Sequence, residues 1–478
     1  MRPLPAAEVD AYDLTADVVV VGLGIAGVAT AIEAAESGAD TLVLEAAGAG
    51  GGTSALSGGI IYLGGGTPVQ EACGFTDTPA DMARFLDVAC GPGVDQEKLQ
   101  AFCEGSVELF GWLTDHGLVF EPTFCAATAG REPPDTSGLI YSGGEDARPG
   151  SSVADPVPRG HHPNHPDAAG GHIMQVLLSA LDRTPAIVRT GTTVERLVVD
   201  GDRVVGVEAR SGGQPLRVWA RGGVALTAGG FVFNNDMVAR HAPHLLRANL
   251  RIGTDHDDGR GIRMAQAHGA ATVNMSAFEC AVPITPPLGL MRGVIINSKG
   301  QRFVNEDAYT GRIGIELLEH QDGEGYLIVD EDVYEVNLVG MQAMTVAESA
   351  EDLAAEIGVP ADALRATLDV YNRAAAEGED PLFHKCADRL QPLEPPLGAI
   401  DLRVDATFYA VFTLGGLWTD VDGAVLTEDG ESIPGLFAAG RTTAGIAVRG
   451  YVSGISLADG LFFGRRAGRA AAGRAGSG

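Results

Sequence analysis

The chain has 478 residues, which at roughly 100–200 residues per domain predicts two or three domains. Its formal net charge of −30, from 63 acidic and 33 basic residues, disfavours nucleic acid and anionic membrane surfaces as partners. No apolar stretch reaches the ~20 residues of a membrane span, and residues 1–10 lack the basic and apolar pattern of a signal peptide, so we expect a cytoplasmic protein.

The N-terminal segment has the pattern of a β-α-β unit. Residues 17–21 include four consecutive valines, typical of a buried parallel strand, and residues 41–44 form a second short apolar run. Between them, residues 26–37 are helical in composition, and Gly38 is well placed to end the helix. This order predicts a Rossmann-like α/β fold.

A glycine fingerprint, Gly22-Leu23-Gly24-Ile25-Ala26-Gly27, joins the first predicted strand to the helix. In such a turn the first glycine permits the tight bend, the second lets the backbone approach a pyrophosphate, and the third allows close packing of helix and strand. Glu45 follows the second strand, where an acid holds a ribose 2′-hydroxyl and disfavours NADP. The segment therefore predicts dinucleotide binding.

Three further glycine-rich segments, residues 50–59, 227–231 and 435–441, favour FAD over NAD. Each alone is equally compatible with a tight turn beside a sheet, but all of them in this order predict an FAD site. The predicted cofactor-binding residues are Gly22, Gly24, Ile25, Ala26, Gly27, Glu45, Ala46, Gly51, Gly52, Thr53, Ser54, Ser57, Gly58, Gly59, Val194, Ala228, Gly229, Gly230, Asp258, Gly440, Arg441, Gly454, Ser456 and Leu457.

The remaining pattern predicts two domains. Residues 1–275 and 412–478 are assigned to the FAD-binding domain, and residues 276–411, where helical runs mix with strands, to an inserted α+β domain that caps it and carries catalytic residues. The predicted helices are residues 79–90, 96–116, 348–356, 360–377 and 456–475. Residues 191–209 predict a hairpin. Residues 121–172 are rich in Pro, Gly, His and Asp and are interpreted as a long ordered loop.

Three long stretches carry a family resemblance: residues 56–75 (LSGGIIYLGGGTPVQEACGF), 302–314 (RFVNEDAYTGRIG) and the segments FTLGGL and IPGLFAAGRTTAGIAVRGYVSGISLADG within 412–460. Nearly the whole chain resembles the fumarate reductase/succinate dehydrogenase flavoprotein superfamily. Within it, the chain resembles the 3-ketosteroid Δ4-(5α)-dehydrogenases.

The chain departs from the fumarate reductases in two places. The resemblance places their proton-donating Arg shortly after Asn305-Glu306, but this chain has Thr310 or a close neighbour there, and Arg312 is shifted. The His that binds flavin covalently in the respiratory enzymes would fall near Gly52, where no His is present. We therefore expect noncovalent FAD and a neutral, apolar substrate rather than a dicarboxylate.

The resemblance implies a set of catalytic residues. Tyr451 would donate a hydrogen bond to the 3-keto oxygen of a steroid, with the backbone N–H of Gly454 as a second donor. Ser453 would accept the C4 proton and Tyr309, from the inserted domain, would relay it toward solvent, while the hydride from C5 goes to N5 of FAD. Electrons would then leave to an external acceptor.

Each of these residues also has a structural reading. By residue type, Tyr451 is as well explained as a core aromatic, Ser453 as the N-cap of the last helix, and Tyr309 as a loop residue. Arg449 is either a substrate clamp or one half of a salt bridge. The scattered cysteines predict reduced thiols, and the irregularly spaced histidines at 161, 162, 165 and 172 do not predict a metal site.

Two rival functions stay open from the sequence. One is a 3-ketosteroid Δ1-dehydrogenase or an enoate reductase that works in the opposite direction. The other belongs to a different class, a flavoprotein that transfers electrons or binds partners and has no substrate of its own.

Overall fold

The protein is described by a computed structural model, which covers residues 2–126, 138–166, 168–284, 288–336 and 343–475. The strands are β1 Leu4–Pro5, β2 Leu14–Val21, β3 Thr41–Leu44, β4 Ile61–Tyr62, β5 Gly138–Ile140, β6 Gly160–His162, β7 Ile187–Arg189, β8 Thr192–Asp200, β9 Arg203–Ser211, β10 Gln214–Leu226, β11 Leu250–Arg251, β12 Thr272–Val273, β13 Phe278–Ala281, β14 Val294–Asn297, β15 Gly325–Val329, β16 Met344–Ala347, β17 Leu397–Asp401, β18 Ala410–Thr413, β19 Gly416–Leu417, β20 Ala424–Leu426 and β21 Ser432–Ala438.

The helices are α1 Ile25–Glu36, α2 Pro68–Ala72, α3 Pro79–Ala89, α4 Gln96–Asp115, α5 Gly170–Leu181, α6 Asn235–His241, α7 Arg260–Gln266, α8 Thr310–Ile315, α9 Ala350–Ile357, α10 Ala361–Glu377 and α11 Ile455–Ala475. The helices expected from the sequence match α1, α3, α4, α9, α10 and α11 to within two residues at each end. Among the described residues, no helix combines the length and apolarity needed to cross a membrane.

A nine-stranded sheet has the order β1-β8-β9-β10-β2-β3-β7, with β20 and β21 branching from β10. Its middle is parallel: β2 pairs with β3 on one side and with the last part of β10 on the other. The predicted hairpin is present as the antiparallel pair β8 and β9. Helices α1 and α11 pack against each other and bury the valines of β2.

A second, four-stranded antiparallel sheet has the order β14-β15-β17-β16 and carries α9 and α10. All of its strands lie within the predicted insertion, residues 276–411, and all strands of the nine-stranded sheet lie outside it. A small sheet of β11, β18 and β13 joins the two parts, and β18 crosses the predicted boundary at residue 411. The division of the chain into two domains, with its boundaries, stays a prediction.

The interpretation of residues 121–172 as one long loop was wrong in part. Strands β5 and β6 lie in this segment and pair with each other, and β6 also pairs with β4, which lies far earlier in the chain. These strands are only two or three residues long, so they have no periodicity to read, and their pairing comes from a distant segment. Residues 127–137 and 167 lie outside the described part of the chain.

Candidate active site and cofactor cleft

A cavity of about 1070 Å³ runs from the carboxyl ends of β2 and β3 to the small sheet that contains β13. Pockets for small molecules usually measure about 300–1,000 Å³, so this cleft has room for a large ligand. Its position at the carboxyl ends of parallel strands is where open α/β sheets bind their ligands.

The fingerprint turn forms one end of the cleft. Gly22 has φ +99°, and a Cβ there would lie 2.7 Å from the Thr227 carbonyl oxygen, so glycine is required on two grounds. A Cβ on Gly27 would overlap the Gly22 carbonyl, which explains the close approach of α1 to β2. The Glu45 carboxylate accepts hydrogen bonds from the Leu23 N–H at 2.6 Å and the Ala47 N–H at 2.7 Å. The acid is thus held at the end of β3.

The structure brings nearly all of the predicted cofactor residues to this cleft. Those that line it are Gly22, Gly24, Ile25, Ala26, Glu45, Ala46, Gly52, Thr53, Ser54, Ser57, Gly58, Gly59, Val194, Ala228, Gly229, Asp258, Gly440, Arg441, Gly454, Ser456 and Leu457. Gly27, Gly51 and Gly230 do not line it and act instead in the backbone packing around it.

Asp257, which the sequence reasoning missed, holds several walls of the cleft together. Its buried carboxylate accepts hydrogen bonds from the Thr53 hydroxyl and from the Gly230 N–H at 3.0 Å, and it pairs with Arg441 at 2.9 Å. Burial alone would raise the pKa of Asp257, but the charge of Arg441 and these hydrogen bonds bring it below its ordinary value. The prediction chose the neighbouring Asp258, whose partner is Arg260 at 3.2 Å.

Tyr451 lies at the other end of the cleft. Its ring packs edge-on against Phe412 at 5.5 Å between centroids and lies 6.3 Å from the ring of Tyr309. Burial raises the pKa of Tyr451 above its ordinary value, opposed in part by hydrogen bonding to Ser456 at the start of α11. A buried phenol that stays protonated is a suitable donor to an oxygen on which negative charge develops.

Ser453 and Gly454 form the turn between Tyr451 and α11, and both line the cleft. Because α11 begins at Ile455, Gly454 occupies the cap position. In the described part of the chain, no hydrogen bond joins the Ser453 hydroxyl to a helix amide. The Ser453 N–H instead donates to the Ser142 carbonyl at 2.9 Å. A Cβ on Gly454, which has φ +94°, would lie 2.8 Å from the Tyr62 nitrogen.

Tyr309 comes from the predicted insertion and precedes α8. The three residues from Asn305 to Asp307 are buried and fix this segment. Glu306 pairs with Arg302 at 2.8 Å and with Lys385 at 3.0 Å, and Asn305 donates to the Arg148 carbonyl at 2.9 Å. The Asn-Glu pair is therefore structural here, and it presents Tyr309 to the cleft opposite Tyr451.

Glu279 on β13 is a second residue that the sequence reasoning missed. It lines the cleft beside Tyr309 and Tyr451 and is only 2% exposed. Burial raises the pKa of Glu279 to about 8, against a smaller opposing effect of hydrogen bonding to Tyr309. The available signal was the placement of one acid within the apolar strand Phe278–Ala281.

The wall between these groups is apolar. Its side chains are those of Leu250, Ile252, Ala281, Val282, Pro283, Phe408 and Phe412. The arginines that line the cleft, Arg260 and Arg441, are each paired with an aspartate. Such a surface suits a flat, neutral ligand better than a dianion.

The remaining candidates lie elsewhere. Arg449 and Arg312 are exposed and do not line the cleft, so neither is placed to clamp a substrate there. His161 is buried and bonded to Thr67 at 2.8 Å, and His165 stacks on His172 at 4.9 Å. Within the described ranges, no group of three or more His, Cys, Asp or Glu side chains is arranged to hold a metal ion. All six cysteines lie in the described part of the chain, and none of them forms a disulfide.

The residues of the cleft fit FAD. The glycine turn and the start of α1 offer backbone N–H groups to a pyrophosphate, Glu45 is placed for a ribose, and Gly440 and Ser456 continue the cleft toward Tyr451. The fold and cleft thus define a flavin-dependent oxidoreductase of the Rossmann-like class.

Comparison with known proteins identifies the family of the chain and the enzymes that it resembles. Residues 17–457 match the family model described as FAD binding domain. A 3-oxo-5-alpha-steroid 4-dehydrogenase of Comamonas testosteroni is 30% identical over 89% of this chain and 92% of its own length. The structure of 3-ketosteroid-Δ4-(5α)-dehydrogenase from Rhodococcus jostii RHA1 with 4-androstene-3,17-dione is 46% identical, with a TM-score of 0.94 over 99% of this chain and 100% of that chain.

A more distant structure shares the fold alone. The 3-ketosteroid Δ1-dehydrogenase of Sterolibacterium denitrificans is 23% identical over 97% of this chain and 100% of its own, with a TM-score of 0.71. The chain belongs to the family of FAD-binding flavoproteins whose model matches residues 17–457, and it resembles the Comamonas testosteroni and Rhodococcus jostii Δ4-dehydrogenases over most of its length.

Proposed function

We propose that this protein is an FAD-dependent 3-ketosteroid dehydrogenase that introduces a double bond between C4 and C5 of a saturated 3-ketosteroid. The observation that supports it most is the convergence of Tyr309, Tyr451 and Ser453 on one apolar compartment that is continuous with the cofactor cleft. The relatives that cover almost the whole chain include dehydrogenases whose names carry this activity.

Tyr451 and Gly454 bind and polarise the ketone in this proposal. The hydroxyl of Tyr451 and the N–H of Gly454 hold the 3-keto oxygen and stabilise the negative charge that grows on it when the C4 proton leaves. The apolar wall around Phe412 buries the ring system and keeps water from the reacting carbons.

The proton and the hydride leave on separate paths. Ser453 accepts the C4 proton while passing its own hydroxyl proton to Tyr309, and Tyr309 in turn gives up its own proton toward solvent, so that neither hydroxyl carries a full charge. FAD, when bound, supplies at N5 the acceptor for the hydride from C5.

The cofactor is held noncovalently in this proposal, because the wall at Gly52 and Thr53 offers no side chain that forms a flavin bond. Electrons leave to an external acceptor. The cytoplasmic location rests on the sequence and stays a prediction.

Anaerobic reduction of the purified flavoprotein tests the proposal. A saturated 5α-3-ketosteroid should bleach the flavin absorbance and yield a Δ4-3-ketone. Fumarate with a reduced viologen should give no turnover, because the cleft has no unpaired arginine among its described lining residues. A Δ1 product, or fumarate reduction, would favour the rival enzymes, and bound flavin that no ketone bleaches would favour a flavoprotein without its own substrate.

A further inference from the structure

We propose that Glu279 is the proton acceptor behind Tyr309, a positioning residue that acts on the reaction through that tyrosine. The inference rests on the proposed function and deepens it, because it names the group that takes the proton out of the Ser453–Tyr309 pair.

The contact between the two side chains is built into the packing of α8 on β13. A Cβ on Gly311 would overlap a carboxylate oxygen of Glu279 and would lie 2.6 Å from Cε1 of the Tyr309 ring. A Cβ on Gly314, one turn later, would overlap the Cys280 carbonyl. The two glycines let the start of α8 lie directly on the strand, and this places Tyr309 against Glu279.

Glu279 has no other evident role in the fold. It has no salt-bridge partner among the described residues, and neither carboxylate oxygen has a hydrogen bond of good geometry there. Its side-chain hydrogen-bonding interaction is with Tyr309, through a contact looser than a full hydrogen bond. A buried carboxyl without an ion pair costs folding free energy, which a structural role does not explain.

The transfer balances without a further reagent. The C4–H bond breaks and its electron pair enters the C3–C4 bond of the enolate. In the same step Ser453 takes that proton, Tyr309 takes the serine proton, and the Glu279 carboxylate takes the tyrosine proton to become a neutral acid. Neither hydroxyl is left charged, and the acid returns its proton to water after the product leaves.

The raised pKa of Glu279 suits a residue that accepts a proton from Tyr309. A carboxylate with an ordinary pKa is a weak base toward the carbon next to a ketone, and burial brings the pKa of Glu279 to about 8. The acceptor is therefore ionised above about pH 8 and protonated below it, so turnover should rise with pH through this value.

The groups that face Glu279 do not titrate in the same window. Burial raises the pKa of Tyr451 and of Cys280 further above their ordinary values. Phe412, directly opposite Glu279 on β18, does not ionise. Tyr309 is the group through which Glu279 acts.

The pH profile of kcat/KM on a saturated 3-ketosteroid tests the inference. The wild-type protein should lose about tenfold in kcat/KM for each pH unit below 8. Glu279→Gln should lack this limb and turn over about 10²-fold more slowly at pH 9. Glu279→Asp should keep the limb at a reduced rate. Glu356→Gln, an exposed position on α9, should match the wild type.

Melting temperature provides a readout apart from turnover. A carboxyl whose pKa is raised by folding stabilises the fold least when it is ionised, so the wild-type protein should lose stability relative to Glu279→Gln as the pH rises from 5 to 9. If Glu279→Gln turns over steroid with the wild-type pH limb, Glu279 is not the acceptor. If the wild-type protein turns over no 3-ketosteroid at all, the proposed function itself fails.

Discussion

Replacement of Asp257 by Asn should destabilise the protein more than any neighbouring change in charge. The Asp257 and Arg441 side chains are 4% and 15% exposed, so removing the carboxylate charge leaves a buried guanidinium without its counter-ion. Breaking a buried pair in this way costs about 3–5 kcal/mol. Because Asp257 also accepts hydrogen bonds from Thr53 and the Gly230 N–H, the same change should loosen bound FAD.

Asp258→Asn is the matched control. Asp258 is the next residue and also has an arginine partner, but the side chains of Asp258 and Arg260 are 32% and 37% exposed. A pair so open to solvent contributes about 1 kcal/mol or less. Guanidinium unfolding at saturating FAD, followed by tryptophan fluorescence, should separate the two variants by at least about 2 kcal/mol.

A double variant isolates the cause of the loss. Combining Arg441→Met with Asp257→Asn removes the guanidinium that Asp257→Asn alone leaves without a counter-ion. The double variant should therefore lose about 2 kcal/mol less unfolding free energy than the sum of the two single losses. The carboxylate has a pKa below its ordinary value, so its contribution is present above about pH 4 and is lost as the pH falls below that. Equal destabilisation by Asp257→Asn and Asp258→Asn, or additivity with Arg441→Met, would show that the buried ion pair does not cause the loss.

Tyr451→Phe should lower kcat on the order of 10²–10³-fold in a dye-reduction assay while FAD stays bound, because one donor to the oxyanion is lost and the ring packing is kept; wild-type turnover would remove Tyr451 from the mechanism. Ser453→Ala should abolish flavin bleaching by steroid without changing the resting flavin spectrum, and bleaching at the wild-type rate would make Ser453 dispensable. Gly22→Ala should release FAD, since its Cβ would lie 2.7 Å from the Thr227 oxygen; Gly38→Ala, with a similar φ of +88° but open space around it, should keep FAD, and equal flavin content in the two would contradict the steric argument.

The cofactor half of the molecule was predictable because its signals are local. Gly22 and Gly27 show their roles through spacing, and the four valines before them define a buried strand without reference to the rest of the fold. The same is true of the helices whose N-caps are visible as residue types, such as Ser349 before α9 and Thr78 before α3.

The substrate half of the site could not be predicted in full, because it depends on contacts between residues far apart in the sequence. Asp257 and Asp258 are adjacent and chemically identical, and only the fold shows which of them meets Arg441. Glu279 is separated from Tyr309 by thirty residues and meets it because Gly311 allows α8 to lie on β13. Tyr309, Tyr451 and Ser453 were placed by family resemblance, and their meeting in one cleft is a property of the fold.

The position of the new double bond separates the proposed Δ4-dehydrogenase from its rivals. Anaerobic incubation of the FAD-loaded protein with a saturated 5α-3-ketosteroid and an artificial electron acceptor should give a product whose NMR spectrum shows a single vinyl proton at C4, with one equivalent of acceptor reduced. A C1–C2 double bond, or an unchanged steroid in the presence of fully bound FAD, would contradict the account.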